Sequence, residues 1–181
     1  MFHKGKKTEN VQLVYFGGLR KYKRPEYAIT VYENLCEKIE NLKLILVGDG
    51  PSLNDIKDKI KGKNYNIDFT GKVEYDILAK IIRESWVNLH FSVTEGWGLS
   101  IMESSASGTP TVAFSVPGVV DTIHNNYNGF LVNSIDEFPD RILDIIKNED
   151  KFTVNSREFA ENFIWEKTAD LWYKLLHRNN N

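Results

Sequence analysis

The stretch from Trp86 to Glu103 limits what this chain can fold into more than any other. Trp86 to Val93 is an apolar run that reads as a buried strand, and Leu99 to Ser107 places apolar and small residues at helical spacing. Thr94-Glu95-Gly96-Trp97-Gly98 therefore joins a strand to a helix, the kind of place where an open parallel sheet binds its ligands. Gly96 and Gly98 leave the backbone bare for close approach. The first free N–H groups of the following helix point at the same space and favour negative charge. Glu95 precedes this anion cradle and Glu103 sits inside the helix, so a ligand carrying both phosphate and hydroxyl groups suits the pair.

The rest of the chain supplies the sheet this joint requires. Val11 to Phe16 is a β-favouring run ending in Gly17-Gly18, followed by the basic stretch Arg20, Lys21, Lys23 and Arg24. Pro25 opens a helix to about Ile39, with Tyr27, Val31, Leu35 and Ile39 on one face. Strands are expected at Leu42 to Val47, Ile67 to Phe69, Val87 to Phe91, Thr111 to Phe114 and Phe130 to Val132. Helices are expected at Leu53 to Lys61, Glu74 to Ser85, Val119 to Ile123, Ile135 to Lys147 and Lys151 to Glu161. Gly108 caps the central helix and Pro110 prevents its continuation. This alternation predicts a Rossmann-like α/β fold, a doubly wound parallel sheet of about six strands with helices on both faces and right-handed crossovers. Residues 1–10 are polar and expected as a loose leader, 11–162 as one domain, and 163–181 as a closing amphipathic helix with a polar tail.

Composition narrows the class. The 41% hydrophobic and 27% charged shares are those of a globular domain with a real core, and a net charge of −2 gives no pull toward nucleic acid. One cysteine, Cys36, rules out an internal disulfide framework and suits a reducing cytoplasm. Four scattered histidines offer no metal-ligand spacing, so no metal is expected. No apolar run approaches the roughly 20 residues of a membrane span, so the chain is expected in the cytoplasm, where peripheral association with the inner membrane face stays open.

Glu95 and Glu103 have seven residues between them, with Gly-aromatic-Gly directly after the first. This resembles the donor-site signature of family 4 retaining glycosyltransferases, which have the two-domain GT-B architecture. The similarity continues through Leu46-Val47-Gly48-Asp49-Gly50-Pro51, Phe69-Thr70-Gly71-Lys72-Val73, Gly108-Thr109-Pro110-Thr111-Val112-Ala113 and Pro117-Gly118-Val119-Val120-Asp121-Thr122-Ile123. It covers Leu13 to about Trp165.

The resemblance implies that the chain is the nucleotide-sugar-binding, C-terminal half of such an enzyme. Backbone N–H groups of Gly96, Trp97, Gly98 and Leu99 would meet the diphosphate and sugar. Glu103, about one turn into the helix, would accept hydrogen bonds from two vicinal ribose hydroxyls. Glu95 and Lys23 are the implied catalytic pair, Glu95 against the transferred sugar and Lys23 against the phosphates of the leaving group. Gly17 and Gly18 lie on the donor side, Gly71, Lys72 and Val73 form the loop that receives the base, and Gly118 lies near the donor or serves as a simple turn. The family usually carries an arginine where this chain has Gly18. Arg20 and Arg24 are its neighbours, and the sequence assigns neither. No metal or other cofactor is implied, the substrate being a nucleoside-diphosphate sugar. His90 alternates inside an apolar strand and reads as a core residue.

Acceptors in this architecture bind an N-terminal domain, so the chain is expected to need that domain or a separate partner chain and to transfer little sugar alone. Trp165, Leu171, Trp172, Leu175 and Leu176 form a wide apolar surface on the closing helix, where the missing domain would pack. Three other classes compete with this reading. A non-catalytic nucleotide-sugar-binding subunit would share the site. A dinucleotide-dependent oxidoreductase rests only on Gly48-Asp49-Gly50, with Leu53 where a third glycine belongs. A glycoside hydrolase would set its carboxylates about a scissile bond, whereas Glu95 and Glu103 bracket an anion cradle.

Overall fold

A computed structural model describes residues 2–177. Six parallel strands form one sheet in the order β3-β2-β1-β4-β5-β6. They are β1 (Gln12–Phe16), β2 (Lys43–Val47), β3 (Ile67–Gly71), β4 (Val87–His90), β5 (Thr111–Phe114) and β6 (Gly129–Val132). Between and after them run α1 (Tyr27–Leu35), α2 (Leu53–Lys59), α3 (Tyr75–Glu84), α4 (Leu99–Ala106), α5 (Phe138–Lys147), α6 (Glu149–Ala160) and α7 (Trp165–Leu176).

Alternation along the strands divides the core in two. Leu13, Tyr15, Leu44, Leu46, Leu89 and Phe91 pack on one face with Val31 and Leu35 of α1 and Ile142 of α5. Val14, Phe16, Ile45 and Val47 turn to the other face, toward Ile82 of α3. On β4 that second face is polar, with Asn88 and His90 buried beneath the region where α3 and α4 pack. The strand order reverses between β1 and β4, so the crevice at their C-terminal ends is the ligand-binding position of an open α/β sheet.

Three expectations need correction. Val119 to Thr122 lie in a run of turns that ends before Ile123, and there is no helix there. Thr122 Oγ1 donates to the Val119 carbonyl at 2.8 Å, a local bond that competes with the helical ladder. Val119 and Ile123 are nevertheless buried against Ile101 and Ala113, which accounts for the helix-like apolar spacing. The N-terminal segment, expected to be loose, has no regular structure but is docked. Lys7 Nζ donates to the Gly108 carbonyl at 3.0 Å and to Thr109 Oγ1 at 2.7 Å, and Trp86 Nε1 donates to the Thr8 carbonyl at 2.9 Å. The helix from Pro25 stops at Leu35, short of Ile39. The polar tail beyond His177 lies outside the described residues.

Candidate functional site

The joint after β4 is built by backbone pressure from the loop after β5. Gly118 has φ +81°, and a Cβ there would collide with the Glu95 carbonyl oxygen. Glu95 N in turn donates to the Pro117 carbonyl at 3.3 Å. The two segments lie so close that only glycine fits at 118, which makes its turn conformation and its proximity to the joint a single requirement. Gly98 then takes a left-handed conformation, φ 66° and ψ 54°, to start α4. Among the described residues the N–H groups from Gly96 to Ser100 have no backbone acceptor. They form a run of free donors at the positive end of the helix.

Lys23 arrives from the short 3-10 turn Lys21–Lys23. Its Nζ lies 2.9 Å from Glu95 Oε1, and Ser92 Oγ donates to the same oxygen at 2.6 Å. His90 Nε2 faces it at 3.4 Å, too poorly aimed for a full hydrogen bond. The His90 ring, with the Ser92 hydroxyl and Lys23, holds the Glu95 carboxyl at about 2 against the opposing effect of burial. Glu95 is thus a fixed anion. The Lys23 ammonium has three donors, so it can keep Glu95 and still reach an incoming phosphate.

Beside this pair lies a cleft of about 390 Å³. Gly17 and Gly18 line it from the end of β1, Lys72 and Val73 from the loop after β3, and Ser100 and Glu103 from α4, with Phe16, Val47, Leu78 and Tyr75 supplying apolar wall. Gly71 joins β3 to that loop in a left-handed conformation, and its carbonyl accepts from Gly48 N at 2.8 Å. Burial alone pushes the Glu103 carboxyl above the usual carboxylate range, and among the described residues no cation pairs with it. A half-buried carboxylate without a partner, facing an open cleft, is suited to receive hydroxyl donors.

The structure therefore brings Gly17, Gly18, Lys72, Val73 and Glu103 to one cleft, and Lys23, Glu95, Gly96 and Gly118 to the adjoining joint. The side chains of Trp97 and Leu99 turn away into an apolar trough, where Trp97 packs edge-on against Phe163 at 5.3 Å between ring centroids. Only their backbone is directed toward the site. At Gly18, a Cβ would stand 3.7 Å from Arg20 Nε, so the Arg20 side chain covers the position that lacks a side chain of its own. Arg24 lies instead 5.7 Å from the rings of Tyr27 and Phe114. His90 is more than the core residue its strand position suggests, and Ser92 and Ser100 join the site without having been singled out from the sequence. The signal was present in Asn88, His90 and Ser92, a polar residue at every second position of an otherwise apolar run.

Residues 1–164 match the family described as glycosyl transferases group 1. An uncharacterised glycosyltransferase of Methanocaldococcus jannaschii is 32% identical over 97% of this chain and 47% of its own length. The N-acetyl-alpha-D-glucosaminyl L-malate synthase of Bacillus anthracis is 28% identical over 86% of this chain and 41% of its own. The chain spans half or less of the length of the curated relatives it matches. Among solved structures, S. aureus TarM in a complex that includes UDP superposes with a TM-score of 0.83 at 26% identity, over 97% of this chain and 37% of that one. The C-terminal domain of a Francisella tularensis group 1 glycosyl transferase, LpcC, superposes with a TM-score of 0.75 at 22% identity, over 84% of this chain and 85% of that one.

Proposed function

The chain belongs to the group 1 glycosyl transferases and corresponds to the C-terminal domain of a GT-B fold, and from that premise we propose that it binds the nucleoside-diphosphate-sugar donor of a retaining sugar transfer. The observation that carries the proposal is the convergence of three different functions at the β1/β4 crevice. Free backbone donors from Gly96 to Ser100 suit a diphosphate, the unpaired Glu103 carboxylate suits vicinal ribose hydroxyls, and the Glu95 anion suits the sugar.

In this reading the base lies against Val73 and Tyr75 and the backbone of Gly71 and Lys72. Glu103 accepts from the ribose, with Gly17 and Gly18 close to the phosphates. Lys23 moves one of its donors onto the diphosphate as negative charge builds there, and Arg20 supplies the second cation from above Gly18. Glu95 accepts a sugar hydroxyl and offsets positive charge near the anomeric carbon. The acceptor hydroxyl attacks from the face the leaving group occupies, and a phosphate oxygen takes its proton. No side chain of this domain is needed as general base, and the scheme uses no metal.

The acceptor is held by a second half, on the same or another polypeptide, and this domain alone transfers little sugar. Relatives about twice as long support that division. Calorimetric titration with UDP, GDP and ADP and their sugar conjugates tests the donor role, with NAD as control. Saturable binding to one diphosphate, weakened about tenfold in Lys23→Ala and Glu103→Ala, is expected. Binding of NAD alone would sink the proposal.

A further inference from the structure

Every protein contact made by the Glu95 carboxylate converges on one oxygen. Oε1 accepts from Lys23 Nζ and Ser92 Oγ and faces His90 Nε2, while among the described residues nothing bonds Oε2. His90 is 5% exposed, and its Nε2 has no hydrogen-bond partner among the described residues. Its other ring nitrogen, Nδ1, lies 3.4 Å from Ser100 Oγ in the first turn of α4. A bare lone pair on Nε2 would stand against a carboxylate in a region screened from water, which is costly. The proton therefore belongs on Nε2, and Nδ1 accepts from the Ser100 hydroxyl.

We propose that His90 is a positioning residue: held by Ser100, its ring fixes Oε1 of Glu95 so that Oε2 alone is presented to a hydroxyl of the donor sugar. This rests on the donor-binding reading. Of the three groups at Oε1, Lys23 is the one an incoming diphosphate draws on. Ser92 and His90 serve Oε1 without sharing that phosphate contact, and His90 is the one set in the sheet on β4. The ring also ties Glu95, at the sugar end of the site, to Ser100, which lines the cleft beside Glu103. A histidine buried only for packing would show none of this directionality.

The full chain carrying His90→Leu or His90→Gln, compared with wild type, tests the proposal. Glutamine places an amide donor near the position of Nε2, and leucine places none. The ligands are UDP, GDP, ADP and their glucose conjugates. The expected result is that leucine weakens the sugar conjugate about tenfold, leaves the free diphosphate unchanged, and glutamine restores most of the loss. Equal loss on both ligands, or no loss with leucine, would overturn it.

A second measurement needs no ligand. NMR of the wild-type chain should show His90 as the Nε2–H tautomer. The Glu95 carboxyl midpoint should rise in His90→Leu and fall back in His90→Gln. Ser100→Ala, which leaves β4 untouched, should raise the same midpoint even if the leucine variant fails to fold. An Nδ1–H tautomer in the wild type would refute the positioning role. So would a Glu95 midpoint that moves neither in His90→Leu nor in Ser100→Ala. Absence of any nucleotide binding with these NMR signatures intact would refute the donor reading while leaving the coupling of His90 to Glu95 in place.

Discussion

Glu103 and Gly118 show how differently two residues of one site depend on their surroundings. Glu103 is raised above its ordinary range by burial, yet the proposed ribose contact needs its ionised form. Nucleoside diphosphate affinity should therefore fall as the pH drops through that raised value, at a pH above the ordinary glutamate range. Calorimetry across the acid limb checks this, and Glu103→Gln should bind more weakly and lose that limb. Gly118 acts through space alone. Gly118→Ala forces a Cβ into the Glu95 carbonyl at φ +81°, and should cost about 1–3 kcal/mol of stability. The same change should weaken a sugar conjugate more than its free diphosphate, because the displaced segment carries Glu95. A melt and two titrations of one variant decide both points.

Among the elements, α4 is held from both ends. Its start is set by Gly98 and the free N–H groups, and its end by Arg157 of α6, whose Nη1 donates to the Ala106 carbonyl at 2.7 Å. The same group donates to the Phe2 carbonyl at 3.3 Å, tying the N-terminal segment to the helix that carries Glu103. A cation at a helix C-terminus satisfies free carbonyls and complements the dipole. The last helix is the opposite case. No side chain of α7 is buried, and Leu171 and Leu175 are 67% and 57% exposed. Leu171→Ser with Leu175→Ser should shift the urea midpoint by the equivalent of about 0.5 kcal/mol or less. Leu89→Ala in the core should cost about 2–5 kcal/mol. A large loss from the α7 pair would show that the helix packs on the domain.

At the scale of the whole molecule, acid stability reports on the site. The Glu95 carboxyl titrates at about 2 when folded, below its ordinary 4.5. It therefore contributes stability that is fully present above about pH 4.5 and is lost as the pH falls toward 2. Glu95→Gln should flatten the stability profile across that window, as denaturation at a series of acid pH values would show. No helix among the described residues is long and apolar enough to cross a membrane, and no group of three or more potential ligands among them could hold a metal.

Much of this architecture was legible in the chain. Apolar runs and glycine punctuation placed all six strands, because burial on both faces of the inner strands and chain reversal leave marks on neighbouring residues, while the edge strand β3 keeps only an alternating pattern. The segment from Val119 to Ile123 departs from its expected helix because its apolar spacing records burial against Ile101 and Ala113, which periodicity alone does not distinguish from a helical face. His90 escapes its due weight for a related reason. Inside a strand, only the fold says which polar residue meets which neighbour.

The sequence by itself determined the parallel α/β class, the position of the β4–α4 joint and the residue types available there, since all three follow from local spacing and backbone chemistry. Tertiary structure alone decided that Lys23 meets Glu95, that Arg20 covers Gly18, that Gly118 presses on the Glu95 backbone and that Ser100, His90 and Glu95 form a line. Lys23 and Gly118 reach Glu95 from separate loops of the chain, and even the local line of Ser100, His90 and Glu95 takes its geometry only once β4 and α4 are set against each other by the sheet.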